Sequence, residues 1–93
     1  RYKDGKTGVG KTLSVEGVFV EVGSLPNSDA VKALAQLIDY GEIVIDCKNQ
    51  KTSAEGIWAA GDVTNALYKQ NNIAVGDAVR ALLNIFEYLH KGK

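Results

Sequence analysis

Residues 56–62, Gly56-Ile57-Trp58-Ala59-Ala60-Gly61-Asp62, read as a small-residue strand that runs directly into a Gly-Asp turn. Ile57 and Trp58 can anchor the strand in a core. Ala59, Ala60 and Gly61 remove the side-chain bulk that would hold another group away from the backbone. Asp62 then places a carboxylate at the strand's mouth. An ionised carboxylate only accepts hydrogen bonds, so its natural partners there are hydroxyls or amide donors. The same residues also suit a plain turn that caps whatever follows, because Gly and Asp are ordinary turn formers.

The flanking residues narrow this choice. Thr52-Ser53-Ala54-Glu55 precedes the strand, and Val63-Thr64-Asn65-Ala66-Leu67-Tyr68-Lys69-Gln70 follows it and leads into a long amphipathic segment. Upstream lie Gly17-Val18-Phe19-Val20-Glu21-Val22-Gly23-Ser24-Leu25-Pro26-Asn27 and Gly41-Glu42-Ile43-Val44-Ile45-Asp46. In this order the pieces resemble the C-terminal part of thioredoxin reductase and of the flavoprotein component of alkyl hydroperoxide reductase. These belong to the FAD-dependent pyridine nucleotide-disulfide oxidoreductases. The resemblance covers nearly the whole chain and is carried most specifically by the Gly-Asp strand, the Tyr68-Lys69-Gln70 triplet and the Gly-x-x-Pro-Asn run at 23–27.

The resemblance implies that Asp62 sits at the flavin ribityl chain, and that Gln70 with the backbone just after it lies beside the isoalloxazine ring. The implied FAD-binding set is Gly61, Asp62, Lys69, Gln70 and Asn71. Elementary physics agrees, since a helix beginning near Asn71 or Asn72 points free N–H groups and a positive dipole end at whatever lies in front of it. One departure stands out: the family usually places aliphatic or small residues after the Gln, where this chain has Asn71 and Asn72. Asn is a good helix N-cap, so the exchange changes what touches the ring edge more than it changes the helix.

Composition bounds the remaining possibilities. Ninety-three residues with 45% hydrophobic and 24% charged side chains make at most one small globular domain. Eleven basic and eleven acidic residues cancel, which argues against an electrostatic nucleic-acid or anionic-membrane surface. Lys3, Lys6 and Lys11 read as a solvated loop. No apolar run approaches the roughly 18 residues that span a bilayer, and no signal peptide opens the sequence, so it reads as cytoplasmic. Cys47 is the only cysteine, which excludes an internal disulfide, a Cys-x-x-Cys pair and a cysteine-rich zinc site. It is expected as a half-buried strand-end thiol.

Arg1–Lys3 and Leu13–Val22 read as strands flanking a glycine-rich hairpin turn. A short helix is expected over Asp29–Ile38, capped by Asn27 or Ser28, then strands at Glu42–Cys47 and Ile57–Gly61 separated by the polar loop Asn49–Gly56. The last helix should run from about Ile73 to His90. Val75, Ala78, Val79, Leu82, Phe86 and Leu89 form its core face, with His90, Lys91 and Lys93 suited to its negative end.

Gly5-Lys6-Thr7-Gly8-Val9-Gly10-Lys11-Thr12 matches the Walker A pattern at every position. A phosphate-binding loop needs a buried strand before it and a helix starting at its Lys-Thr. Here four residues precede it and β-rich Leu-Ser-Val-Glu-Gly-Val-Phe-Val follows, so it reads as a hairpin turn.

The resulting expectation is an α/β chain, a partial FAD/NAD(P)-binding Rossmann-like fold with an N-terminal β-hairpin and a long C-terminal helix. Residues 1–27 are the tail of a nicotinamide-binding domain, and 28–93 are the C-terminal segment of a FAD-binding domain. The resemblance implies hydride flow from NAD(P)H to FAD and on to a cysteine pair that reduces thioredoxin-like, glutaredoxin-like or peroxiredoxin-type proteins. No residue here is that thiol, and no Gly-x-Gly-x-x-Gly turn is found, so the chain reads as a piece, inactive in isolation. A noncatalytic self-associating α/β module is the alternative, with homo-oligomers expected on either reading.

Overall fold

The computed structural model describes residues 1–91. At its N-terminus β1 (Tyr2–Lys3) pairs antiparallel with β2 (Gly10–Lys11), in the register Tyr2 to Lys11 and Lys3 to Gly10. Asp4 makes the turn. Its carboxylate accepts from the backbone N–H groups of Lys6 (2.9 Å) and Thr7 (3.2 Å) and pairs with the Lys11 ammonium at 2.6 Å. Lys11 and these amides hold the Asp4 carboxyl below its ordinary pKa. The residue that would be the Walker lysine therefore closes a hairpin, and no helix starts at Lys11-Thr12.

Leu13–Val22 is not a strand here. The run has no ladder partner among the described residues, and its apolar side chains stand in solvent, Phe19 at 89% and Val22 at 90% exposure. A run built to be covered on both faces has nothing in this chain to pair with. The radius of gyration is accordingly 19.3 Å, against about 12 Å for a compact chain of this length.

Residues 28–91 form a body around a small core of Ala35, Ile43 and Ile45, against which Val31, Leu37, Ala54, Ala59 and Val63 pack. The expected helix over 29–38 is instead a series of turns. Ala35 N–H reaches the Val31 carbonyl at 2.9 Å, but the next donors are diverted. Gln36 N–H goes to Ser53 Oγ (2.7 Å) and Ile38 N–H to the Glu42 carbonyl (2.9 Å). The Ser28 hydroxyl donates across the turn to the Gly41 carbonyl at 2.5 Å and does not cap a helix.

The expected strands at 42–47 and 57–61 are reduced to single pairing points. Ile43 pairs with Leu37 on one side and, in parallel, with Thr64 on the other. Lys51, placed by sequence in a plain loop, pairs with both Asp46 and Trp58. Gln50 makes that turn possible. It adopts φ +63° and is 1% exposed, its N–H bonded to the Asp46 carbonyl (2.7 Å) and its side-chain amide to the Ala59 carbonyl (3.2 Å). Cys47, expected half-buried, is exposed at the rim of this turn.

Helix α1 (Asn71–His90) begins at Asn71, as the dipole argument had it and two residues before the start at Ile73 that its periodicity suggests, with Gln70 as its N-cap. Its buried positions are Asp77 and Ala81, not the predicted apolar stripe. Val75, Val79, Leu82, Phe86 and Leu89 are all at least half exposed. The body is too small to cover the stripe and takes the neighbouring face. Arg80 bonds the Cys47 carbonyl (3.0 Å) and Asp77 (3.3 Å), Trp58 Nε1 donates to Asn84 Oδ1 (2.9 Å), and the Trp58 and Tyr88 rings meet edge to face at 5.2 Å. Beside them Glu55, by hydrogen bonding first and charge second, holds the Tyr88 hydroxyl above its ordinary pKa. His90 lies on the surface with its ring stacked on Phe86, while the expectation for Lys93 falls outside the described residues.

Candidate functional site

The Gly-Asp turn is built from backbone outward. Gly61 adopts φ +83°, a conformation that disfavours any side chain, and a Cβ there would lie 3.3 Å from that of Ala74 in the first turn of α1. Thr64, fully buried, locks the turn. Its N–H (3.0 Å) and hydroxyl (2.7 Å) both donate to the Gly61 carbonyl, and the hydroxyl accepts from Ala66 N–H at 3.3 Å. One residue earlier, Val63 gives its carbonyl to Ile43 N–H (2.8 Å); one residue later, Asn65 N–H bonds the Ile43 carbonyl (2.9 Å) while its side chain accepts from Ile45 N–H (3.1 Å). Asp62 thus projects, exposed, from a turn fixed on both sides.

In front of it the helix begins. The first intrahelical bond runs from Ala74 N–H to the Gln70 carbonyl at 2.9 Å, and Gln70 makes no side-chain cap. The N–H groups of Asn71, Asn72 and Ile73 therefore open at a positive helix end with no acidic residue in the first turn.

Asp62, Lys69, Gln70 and Asn71 line one cavity of about 690 Å³, together with Asn72, Ile73 and Glu21. Gly61 does not line it; its role is to let the turn approach Ala74. A smaller cavity, about 230 Å³, joins Asp62 and Val63 to Ser24, Leu25, Pro26 and Asn27. The three sequence pieces at 23–27, 56–62 and 68–70 thus converge on Asp62.

Chemically this is a site of oxygen acceptors facing backbone and amide donors. It suits a ligand that offers hydroxyls to Asp62 and Glu21 and accepting atoms to the helix N-terminus. Such a donor set fits a flavin with its polyol chain, which presents both. The Lys69 ammonium is already engaged, 3.1 Å from a Glu42 carboxylate oxygen and bonded to the Thr64 carbonyl. Sequence reasoning misses Glu21 and Ile73 as lining residues. Glu21 does carry a signal, being the lone charge inside the apolar run 18–22.

The profile of the pyridine nucleotide-disulphide oxidoreductases matches residues 1–78. The chain is 47% identical over 89 residues to the F component of alkyl hydroperoxide reductase in Pseudomonas putida, and 46% identical over 89 residues to that of Staphylococcus aureus strain MSSA476. Each alignment covers 96% of this chain but 17% of the relative, so the chain spans about a sixth of their length. Among solved structures, the thioredoxin reductase of T. acidophilum superposes with a TM-score of 0.85 at 38% identity, over 96% of this chain and 29% of that one. Thioredoxin reductase from Streptococcus pyogenes MGAS5005 gives 0.72 at 35% identity, over 95% and 28%. These neighbours have the FAD/NAD-binding Rossmann-like fold, and the extended layout found here is close to that of the matching stretch in a longer enzyme.

Proposed function

This chain belongs to the pyridine nucleotide-disulphide oxidoreductase family, and on that premise we propose that it supplies half of a FAD site in a thioredoxin-reductase-like NAD(P)H:disulfide oxidoreductase. The observation that carries this reading is the meeting of three separated motifs on Asp62, opposite the open N-terminus of α1. Asp62 accepts hydrogen bonds from the ribityl hydroxyls. Gln70 and Asn71 with the first N–H groups of the helix would lie on the ring side of a bound flavin and favour negative charge there. Gly61 allows the close approach, and Thr64 holds the carboxylate in place. When bound, FAD supplies the hydride and electron chemistry.

Residues 1–27 belong, on this reading, to the nicotinamide-binding domain and residues 28–93 to the FAD-binding domain. The whole enzyme works in the cytoplasm with NAD(P)H and passes electrons to a thioredoxin-like or peroxiredoxin-type protein. The names of the relatives support that pairing of activities. The 93 residues hold one cysteine and no Gly-x-Gly-x-x-Gly turn, so by themselves they do not turn over. The exposed apolar run 18–25 and the uncovered stripe of α1 favour self-association of the isolated chain.

The test is Asp62→Ala in the full-length enzyme, read as the dissociation constant of FAD. Weakening by roughly tenfold or more is expected for losing a carboxylate that accepts ligand hydroxyls. Unchanged affinity would remove the assignment.

A further inference from the structure

Among the described residues Lys69 is the one cationic side chain lining the cavity beside Asp62, yet its ammonium is bound to the protein itself. It lies 3.1 Å from Glu42 Oε1 and donates to the Thr64 carbonyl, and both charged side chains are about three-quarters buried, at 26% and 23% exposure. Its two acceptors stand on one rigid ladder. Glu42 immediately precedes Ile43, whose N–H and carbonyl are taken by Val63 and Asn65, and Thr64 is the buried residue that locks the Gly61 carbonyl. On the other side, Lys69 immediately precedes Gln70, the N-cap whose carbonyl takes the first helical hydrogen bond.

We propose that Lys69 is a positioning residue for the flavin site, acting through Glu42 and the Thr64 carbonyl and not through contact with the cofactor. The inference rests on the FAD reading above. Physically, the pair is a strut between the turn that carries Asp62 and the start of α1. It closes the segment 64–70 into a loop, so the carboxylate and the helix N–H groups keep one separation. It also cancels the cation that lines the cavity. What remains there is the charge of Glu21 and Asp62 set against the helix N-terminus, an arrangement suited to hydroxyl donors and poorly suited to a phosphate. A largely buried ammonium held by a carboxylate and a carbonyl is costly to unpair, so removing either partner should disturb the other's position.

The experiment uses the full-length flavoenzyme carrying Glu42→Gln, Lys69→Met, Lys69→Arg and the double variant of the first two. FAD affinity and the visible absorption spectrum of bound flavin are measured for each, with Asp62→Ala as control. Glu42→Gln and Lys69→Met should each weaken FAD by about tenfold and shift the spectrum in the same way. The double variant should be no worse than either alone, while Lys69→Arg, which keeps a donor for both Glu42 and the Thr64 carbonyl, recovers most of the affinity. Glu42, which lines neither cavity, is the decisive position. If Lys69→Met loosens FAD while Glu42→Gln leaves affinity and spectrum unchanged, Lys69 touches the cofactor and the proposal fails. Should the single variants fail to fold, Lys69→Arg decides, since it keeps a cation that can donate to both acceptors, and a folded Lys69→Arg enzyme that does not retain FAD overturns the strut. Unchanged FAD affinity in Asp62→Ala would instead strike at the flavin reading itself.

Discussion

The hairpin at residues 1–11 is held by contacts between near neighbours, Asp4 with Lys6, Thr7 and Lys11, all within seven positions and all exposed. The body at 28–91 is held by contacts of long reach. Gln36 bonds Ser53, Ile45 bonds Asn65, Trp58 bonds Asn84 and Arg80 bonds Cys47, at separations of 17, 20, 26 and 33 residues. Between the two lies the apolar run 13–25, which has neither kind of contact among the described residues. A hairpin closed by local bonds needs no covering element to hold it. A tertiary network is sensitive at its junctions, and a strand made for both-sided cover keeps no pairing at all.

The sharpest way to break this contrast is Gly61→Val. The new side chain meets both a left-handed backbone and Ala74, so the body of the full-length enzyme should lose about 1–3 kcal/mol from the backbone conformation alone. Denaturant unfolding together with FAD content reads the loss, and the hairpin's amide signals should not move. A body that tolerates valine would mean the turn is not the junction described here.

Thr64→Ala should cost less, about 1–2 kcal/mol, since the Gly61 carbonyl keeps the backbone N–H at residue 64 while losing the hydroxyl. The melting midpoint should fall, with the Asp62 end of the body loosening more than the Tyr88 end in amide exchange. Equal loosening at both ends would argue that the body opens as a single unit.

The smallest effect belongs to the hairpin. Because Lys11 first and the Lys6 and Thr7 amides next lower the Asp4 pKa, the folded hairpin favours the carboxylate. Its contribution is therefore present above the ordinary aspartate pKa and lost as pH falls through the lowered one. Titration should shift the Lys6 and Thr7 amide resonances together in that acidic window, with the body unaffected. Asp4→Asn should abolish the coupled shift.

The turn and the helix start that frame the candidate site were legible in the sequence because their signals are local. Gly61 and Asp62 declare a turn, Gln70 and Asn71 a helix start, and both proved to line or shape one cavity. What sequence could not supply was the set of partners. Periodicity found the apolar stripe Val75 to Leu89 correctly as a stripe, but only the size of the body determines whether that face is covered. The short helix at 29–38 failed for a related reason, since Ser53 and Glu42 displace the helical carbonyls as acceptors for the Gln36 and Ile38 amides. Gln50 carried no local sign of its left-handed, buried role, which comes from the Ala59 carbonyl beside it.

Trp58 is the only tryptophan of the chain, and its indole is pinned to Asn84 and Tyr88 on the segment that ends at Asp62. The molecule thus carries its own optical gauge. Indole emission reports whether α1 is seated against that segment, and on the proposed flavin reading its quenching by the ring at the segment's far end would report occupancy of the cavity. Seating and loading can then be followed separately in one cuvette, without a label.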